Sequence, residues 1–245
     1  MLPYVRLELR RLARTPGLLI FAVVMPLLSY LLFTNLNTIT GQDKGTAATY
    51  TMVSMAGYGA IGALLNYASG LVVDRSIGWL RQLRLTPLPP VKVVLGKGLA
   101  AMAAALLPVL ALCGAAVLVN GVQLRAGQWL AILPLLWLGS LPFALLGIGM
   151  GYLATAQTAQ PLNFLVYFGL SIAGGLWLPL DVMPDWLASA GRLLPTHAYA
   201  DMSWRVAFGG APSVTDVVTL AGWMAAFAGL AVLGFRRSVR SVAVL

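Results

Sequence analysis

Six long apolar runs divide this chain, at about residues 16–36, 49–73, 93–119, 129–154, 162–180 and 217–235. No Asp, Glu, Lys, Arg or His falls near the middle of any of them. An α-helix rises 1.5 Å per residue and the hydrocarbon core of a bilayer is about 30 Å thick, so about 20 apolar residues make a span. The connections are too short to hold a separate soluble domain. Soluble domains carry about 25% charged residues; here the figure is 9%, against 60% hydrophobic residues. The expected class is an all-α membrane protein, one transmembrane domain over residues 1–245 with six spanning helices.

Lysine and arginine bias sets the expected orientation. One side takes both termini and the second and fourth loops. That assignment places twelve of the sixteen Lys and Arg residues together and leaves Lys44, Arg125, Arg192 and Arg205 opposite, with five of the seven acidic residues. The rich side is expected to be cytoplasmic. In a soluble protein the net charge of +9 would point to nucleic acid; here it serves topology, and no nucleic-acid partner is expected. Trp129, Trp177, Trp186 and Trp204 fall towards the opposite interface, as in a tryptophan belt.

At the amino end, Leu2, Val5, Leu9 and Leu12 share one face and Arg6, Arg10 and Arg14 another. The spacing predicts a helix over 2–15, lying in the lipid interface or packed on the protein's own surface. Pro26 predicts a kink in the first run. The second run holds Gly57, Gly59, Gly62, Asn66 and Ser69 on a small, faintly polar face. Close helix packing explains small residues; a transport path lined by Asn66, Ser69, Asn163 and Tyr167 is the alternative. Gly147 and Gly151 form a helix-packing pair, and Cys113 reads as a small buried side chain. Residues 181–216 form the longest polar segment, in which Trp186, Leu187, Leu193, Leu194 and Trp204 suggest short amphipathic helices broken by Pro184 and Pro195.

No internal energy source is legible. Gly96-Lys97-Gly98 lacks both the earlier glycine and the following Ser or Thr of a phosphate-binding loop. His197 is the one histidine, and neither a catalytic nor a metal-binding constellation is expected. The most basic connection, Asp74 to Pro90 with Lys92 close behind, is the place where an engine would act from outside.

Three stretches resemble the ABC-2-type transporter permeases, the six-span membrane subunits of ATP-binding cassette exporters. The first is Asp74-Arg75, Gly78, Leu80, Leu83, Thr86-Pro87 and Gly96-Lys97. The second runs from Gly174 through Pro179, Asp181, Pro184 and Trp186 to Leu187. The third is Arg192-Leu193-Leu194-Pro195 with Asp201 and Arg205. The resemblance implies a coupling helix in loop 74–92 that docks in a separate ATPase, with Arg75, Gly78, Leu80, Arg81, Leu83, Arg84, Thr86 and Pro87 at the contact. It implies re-entrant outer helices in 181–216, with Pro179, Asp181, Pro184, Trp186, Pro195, Asp201 and Arg205 as outer gate or structural cap. It further implies two permease copies, two ATPase copies that hold ATP and Mg, a bacterial-type inner membrane, and export of a hydrophobic or amphipathic substrate. No cofactor is expected in this chain itself. Departing from the family, the loop lacks acidic residues near Ser76 and Arg81. The alternative class is an ion-gradient-driven transporter or channel with no ATPase partner.

Overall fold

The computed structural model describes residues 2–39, 43–79, 82 and 89–240. All regular structure among the described residues is helical. In chain order the helices are α1 (Leu2–Ala13), α2 (Pro16–Ile39), α3 (Lys44–Ser69), α4 (Leu71–Ser76), α5 (Pro90–Asn120), α6 (Ala126–Leu138), α7 (Leu141–Leu153), α8 (Ala159–Ala173), α9 (Asp185–Arg192), α10 (Pro195–Ala207) and α11 (Val214–Arg240), with a 3-10 turn at Leu180–Val182. Four stretches are long and apolar enough to cross a membrane: Lys44–Ser76, Val91–Asn120, Ala126–Leu153 and Val214–Arg237. Ile20–Leu36 and Ala159–Ala173 are shorter apolar helices.

Helix α3 is the axis of the molecule. It is the least apolar of the four long stretches and the most buried, packed by α2, α5, α7, α8 and α10. Its glycines and small polar residues make that possible, because small side chains let helix backbones approach. At Gly59 three helices converge: a Cβ there would lie 2.8 Å from Pro108 of α5 and 3.1 Å from the carbonyl of Ala22 in α2. That carbonyl is the one Pro26 leaves without its usual N–H donor, and α2 continues past the proline to Ile39. Gly147 and Gly151 of α7 press on Ala68 and Leu71, the packing their spacing predicts.

The fourth apolar run folds as two helices. Pro142 stands in the first turn of α7, where its missing N–H costs nothing. The Gly139-Ser140 corner before it is tied by the Ser140 hydroxyl to the Trp137 carbonyl. Trp137 in turn donates to the Met102 carbonyl of α5 at 2.8 Å.

Helix α1 forms where its spacing predicts, but its inner face is Tyr4, Glu8 and Leu12, all buried. One face is thus held on the protein's own surface, while Arg6, Leu9 and Arg10 stay exposed. Tyr4 and Glu8 were not on the apolar face that the leucine spacing marks; a charged residue turns inward when a partner waits there.

At the opposite end, α8 spans only ~23 Å by its length. Irregular backbone from Gly174 to Pro179 follows it, and Gly174, Gly175 and Leu176 are buried under protein. Helix α10 is buried along most of its length. Its Tyr199 hydroxyl donates to the Leu136 carbonyl at 2.6 Å, and Thr196 donates to Leu170 at 2.7 Å. Trp204 stacks on Tyr50 with ring centroids 4.7 Å apart, and Trp177 packs edge-on to Phe33 and Tyr58. These two indoles serve the core, whereas Trp186 is exposed as a belt residue is.

Candidate functional site

The base of the basic loop is built from buried charge. Gly70 closes α3 and the chain restarts as the single turn pair α4, which carries Asp74 and Arg75. Asp74 receives a hydrogen bond from the Lys97 ammonium of α5 and lies 3.5 Å from Arg11 of α1. Arg11 also reaches Glu8 at 3.5 Å, and Glu8 accepts the Tyr67 hydroxyl of α3 at 2.7 Å. Two carboxylates and two cations thus neutralise each other in a site where Glu8, Asp74 and Lys97 are buried. Burial, reinforced by the Glu8 charge, pushes the Tyr4 phenol above its ordinary range. Removing one partner of a buried pair costs far more than the pair gains over apolar packing, so the cluster behaves as a unit.

Gly96 and Lys97 divide the work of their motif. A Cβ at Gly96 would lie 2.5 Å from the Tyr4 ring, so the glycine admits α1 against α5, and the lysine meets Asp74. Arg75 points the other way. Its guanidinium donates to the carbonyls of Gly151, at 3.1 Å, and Tyr152, closing the carboxyl end of α7, where unpaired carbonyls concentrate negative potential. Gly78 has φ +74, in the left-handed region where a side chain is strained. Trp79 follows, with the Arg11 guanidinium 4.5 Å over its ring. Of the expected coupling residues, Arg75 is therefore turned into the protein and Gly78 makes a turn. Leu80, Arg81, Leu83, Arg84, Thr86 and Pro87 lie outside the described residues.

A second feature is a cavity of about 450 Å³ between α2, α3 and α8, reaching past α4. Its walls include Phe21, Met25, Tyr58, Asn66, Ser69 and Tyr167. Three of the four expected path residues line it. The fourth, Asn163, sits beside it and donates to the Asn66 side chain at 2.9 Å. Asn66 donates to the Gly62 carbonyl at 2.9 Å, and the Tyr167 hydroxyl to the Tyr58 carbonyl at 3.1 Å. The rings of Tyr58 and Tyr167 stack at 4.4 Å. A polar seam thus runs down α3 at four-residue steps and pairs with the same steps on α8. The small, faintly polar face is both packing surface and cavity wall.

At the far end of α3 a separate cavity of about 460 Å³ collects Pro179, Asp181, Asp201 and Arg205 from the expected outer gate, with Tyr50 and Arg192. Pro184 precedes α9 and is exposed, Trp186 projects outward, and Pro195 is buried at the start of α10. Arg205 is paired with Asp201, and that hydrogen bond raises its already high pKa. Burial lowers the pKa of the nearby His197.

Sequence reasoning missed Glu8, Arg11 and Tyr67 as parts of one site. The available signal was Glu8 itself, the one acid in a strongly basic segment.

Residues 25–235 match the model of the family described as ABC-2 family transporter protein. The chain is also 28% identical over 225 residues, 90% of each chain, to the putative transport permease YvfS of Bacillus subtilis (strain 168). A helical bundle with long apolar helices and a match over most of its length lead to one assignment: the chain is a multi-pass membrane protein that belongs to the ABC-2 family of transporter proteins.

Proposed function

We propose that this chain is the permease of an ATP-driven exporter, worked by a separate ABC ATPase that docks on loop 74–92 and holds ATP and Mg. The observation that carries the reading is the wiring of the loop's base. Asp74 is tied to α5 through Lys97 and to α1 through Arg11, and Arg75 is tied to the end of α7. A displacement of the loop is delivered to three helices at once, and to α3 directly through α4. A buried, hydrogen-bonded charge cluster transmits such a pull well, because its members lose more by separating than by moving together.

In this reading all six apolar runs cross an inner (cell) membrane, both termini face the cytoplasm, and the cavity between α2, α3 and α8 is part of the path. Its mixed apolar and amide lining suits a hydrophobic or amphipathic substrate such as a drug, lipid or glycolipid. The neighbouring faces of α2 and α8 leave Phe21, Leu28, Leu32, Phe164 and Leu165 exposed. A second copy of the chain set against them closes the cavity's open side, giving a homodimer with two ATPase subunits. The segment 181–216 then stands at the exit.

The test is co-purification from the native host in mild detergent. A P-loop ATPase at one-to-one stoichiometry is expected, and Leu80→Asp with Leu83→Asp should abolish its association while leaving membrane insertion intact. A homo-oligomer with no ATPase after cross-linking, or unchanged association in the double variant, overturns the docking reading.

A further inference from the structure

The far-end cavity is a charged site whose charges are not all used. Arg205 is occupied by Asp201 and lies 3.8 Å from Asp216. Asp181 and Arg192 also line the cavity, and among the described residues neither has an ion-pair partner. With Asp201 and Arg205 they make two carboxylates and two guanidiniums, a lining with no net charge but with separated poles. A simple anion entering it meets carboxylates, and a simple cation meets guanidiniums. A ligand carrying both charges can satisfy both free groups.

The aromatic wall adds a second preference. Tyr50 and Trp204 line the cavity with one face of each ring stacked on the other, and an ammonium group gains from an aromatic face that is still open. The rim adds a third. Phe208 lines the cavity; Leu178, Val182 and Leu193, each next in sequence to a lining residue, and Trp186 of α9 are exposed, apolar side chains of the kind that enter a membrane interface. A volume of about 460 Å³ is within the range of small-ligand sites.

We propose that this cavity binds the headgroup of a zwitterionic phospholipid, with its phosphate at Arg192, its ammonium between Asp181 and the Tyr50–Trp204 pair, and its acyl chains on the apolar rim. The site is independent of how the protein is powered. It ties 181–216 to the lipid surface and makes the position of α9 and α10 sensitive to headgroup composition.

The experiment uses the full chain, purified in non-ionic detergent, titrated with dihexanoylphosphatidylethanolamine, dihexanoylphosphatidylglycerol and O-phosphoethanolamine, with tryptophan fluorescence as readout. The ethanolamine lipid should bind about tenfold more tightly than the glycerol lipid, the scale of one charge-assisted hydrogen bond. Asp181→Asn should remove that preference by weakening the ethanolamine lipid alone, whereas Arg192→Gln should weaken both lipids. Both side chains are exposed, so thermal unfolding should be unchanged, which separates lost binding from lost fold. Equal affinity for the two lipids in the unaltered protein overturns the proposal, as does indifference to both substitutions. O-phosphoethanolamine binding as tightly as its lipid overturns the membrane-lipid assignment.

Discussion

Lys97 donates its ammonium hydrogen to the carboxylate of Asp74 across 23 residues of chain, and both residues are buried, at 5% and 7% exposure. The contact joins the base of the basic loop to α5, the longest of the described helices. It also explains why a lysine stands two turns inside a helix that is otherwise apolar from Val93 to Val119.

Lys97→Met should destabilise the protein by about 3–5 kcal/mol, because it strands Asp74 with only the longer contact to Arg11. Adding Asp74→Leu should recover most of that loss, since no buried charge then remains unpaired. Thermal unfolding of the two variants in detergent checks the order. A double variant less stable than Lys97→Met shows that the pair is not an interdependent unit.

Gly96→Ala should cost about 1–3 kcal/mol by overpacking, since the new Cβ meets the Tyr4 ring at 2.5 Å. Tyr4→Leu in the same chain should relieve the strain. The readout is protease access to α1, expected to rise in the single variant and fall back in the double.

Gly62→Ala should displace the Tyr167 hydroxyl, which lies 2.6 Å from the position of the added carbon. The cost is again about 1–3 kcal/mol, and Tyr167→Phe should restore part of it by removing the nearer of two clashing atoms, the ring carbon Cζ staying at 2.7 Å. Full restoration is not expected, because the bond to the Tyr58 carbonyl goes with the hydroxyl. Stability of the four chains of this cycle measures the coupling.

Asn163→Leu should cost about 0.6 kcal/mol, the mean for hydrogen bonds between helices in membranes, and no more than about 1.7. Its loss leaves the Asn66 side-chain oxygen without the donor it has at 2.9 Å. A double-mutant cycle with Asn66→Leu isolates the bond; a coupling near zero removes the seam from the account of how α8 is held.

Arg75→Gln should lower stability by about 1–2 kcal/mol through loss of charged donors to the end of α7. Arg75→Lys should restore part of it, since a single nitrogen, Nη1, makes the bonds to both carbonyls and an ammonium that reaches them can do the same. A glutamine chain as stable as the arginine chain argues against the capping role.

What the sequence by itself determined is what depends on short windows. Apolar runs of membrane length specify helices, because lipid offers no partner for a free backbone N–H or C=O. The composition therefore dictated an all-helical membrane fold, and the glycine spacing in the second and fourth runs marked packing faces. Asn66, Ser69 and Tyr167 stood out for the same local reason, being polar groups in apolar surroundings, and they share one cavity. The family was legible in motif order, and the match over residues 25–235 bears it out. Only the tertiary structure decided which charges are spent inside. Glu8 and Tyr67 are 59 residues apart, and Arg75 finds its carbonyls 76 and 77 residues onward. No window contains such a pair, and an arginine on a carbonyl looks, in sequence, like an arginine offered to a partner or to lipid. Burial resolves the difference, because a charge leaves water only where another group is already placed to receive it.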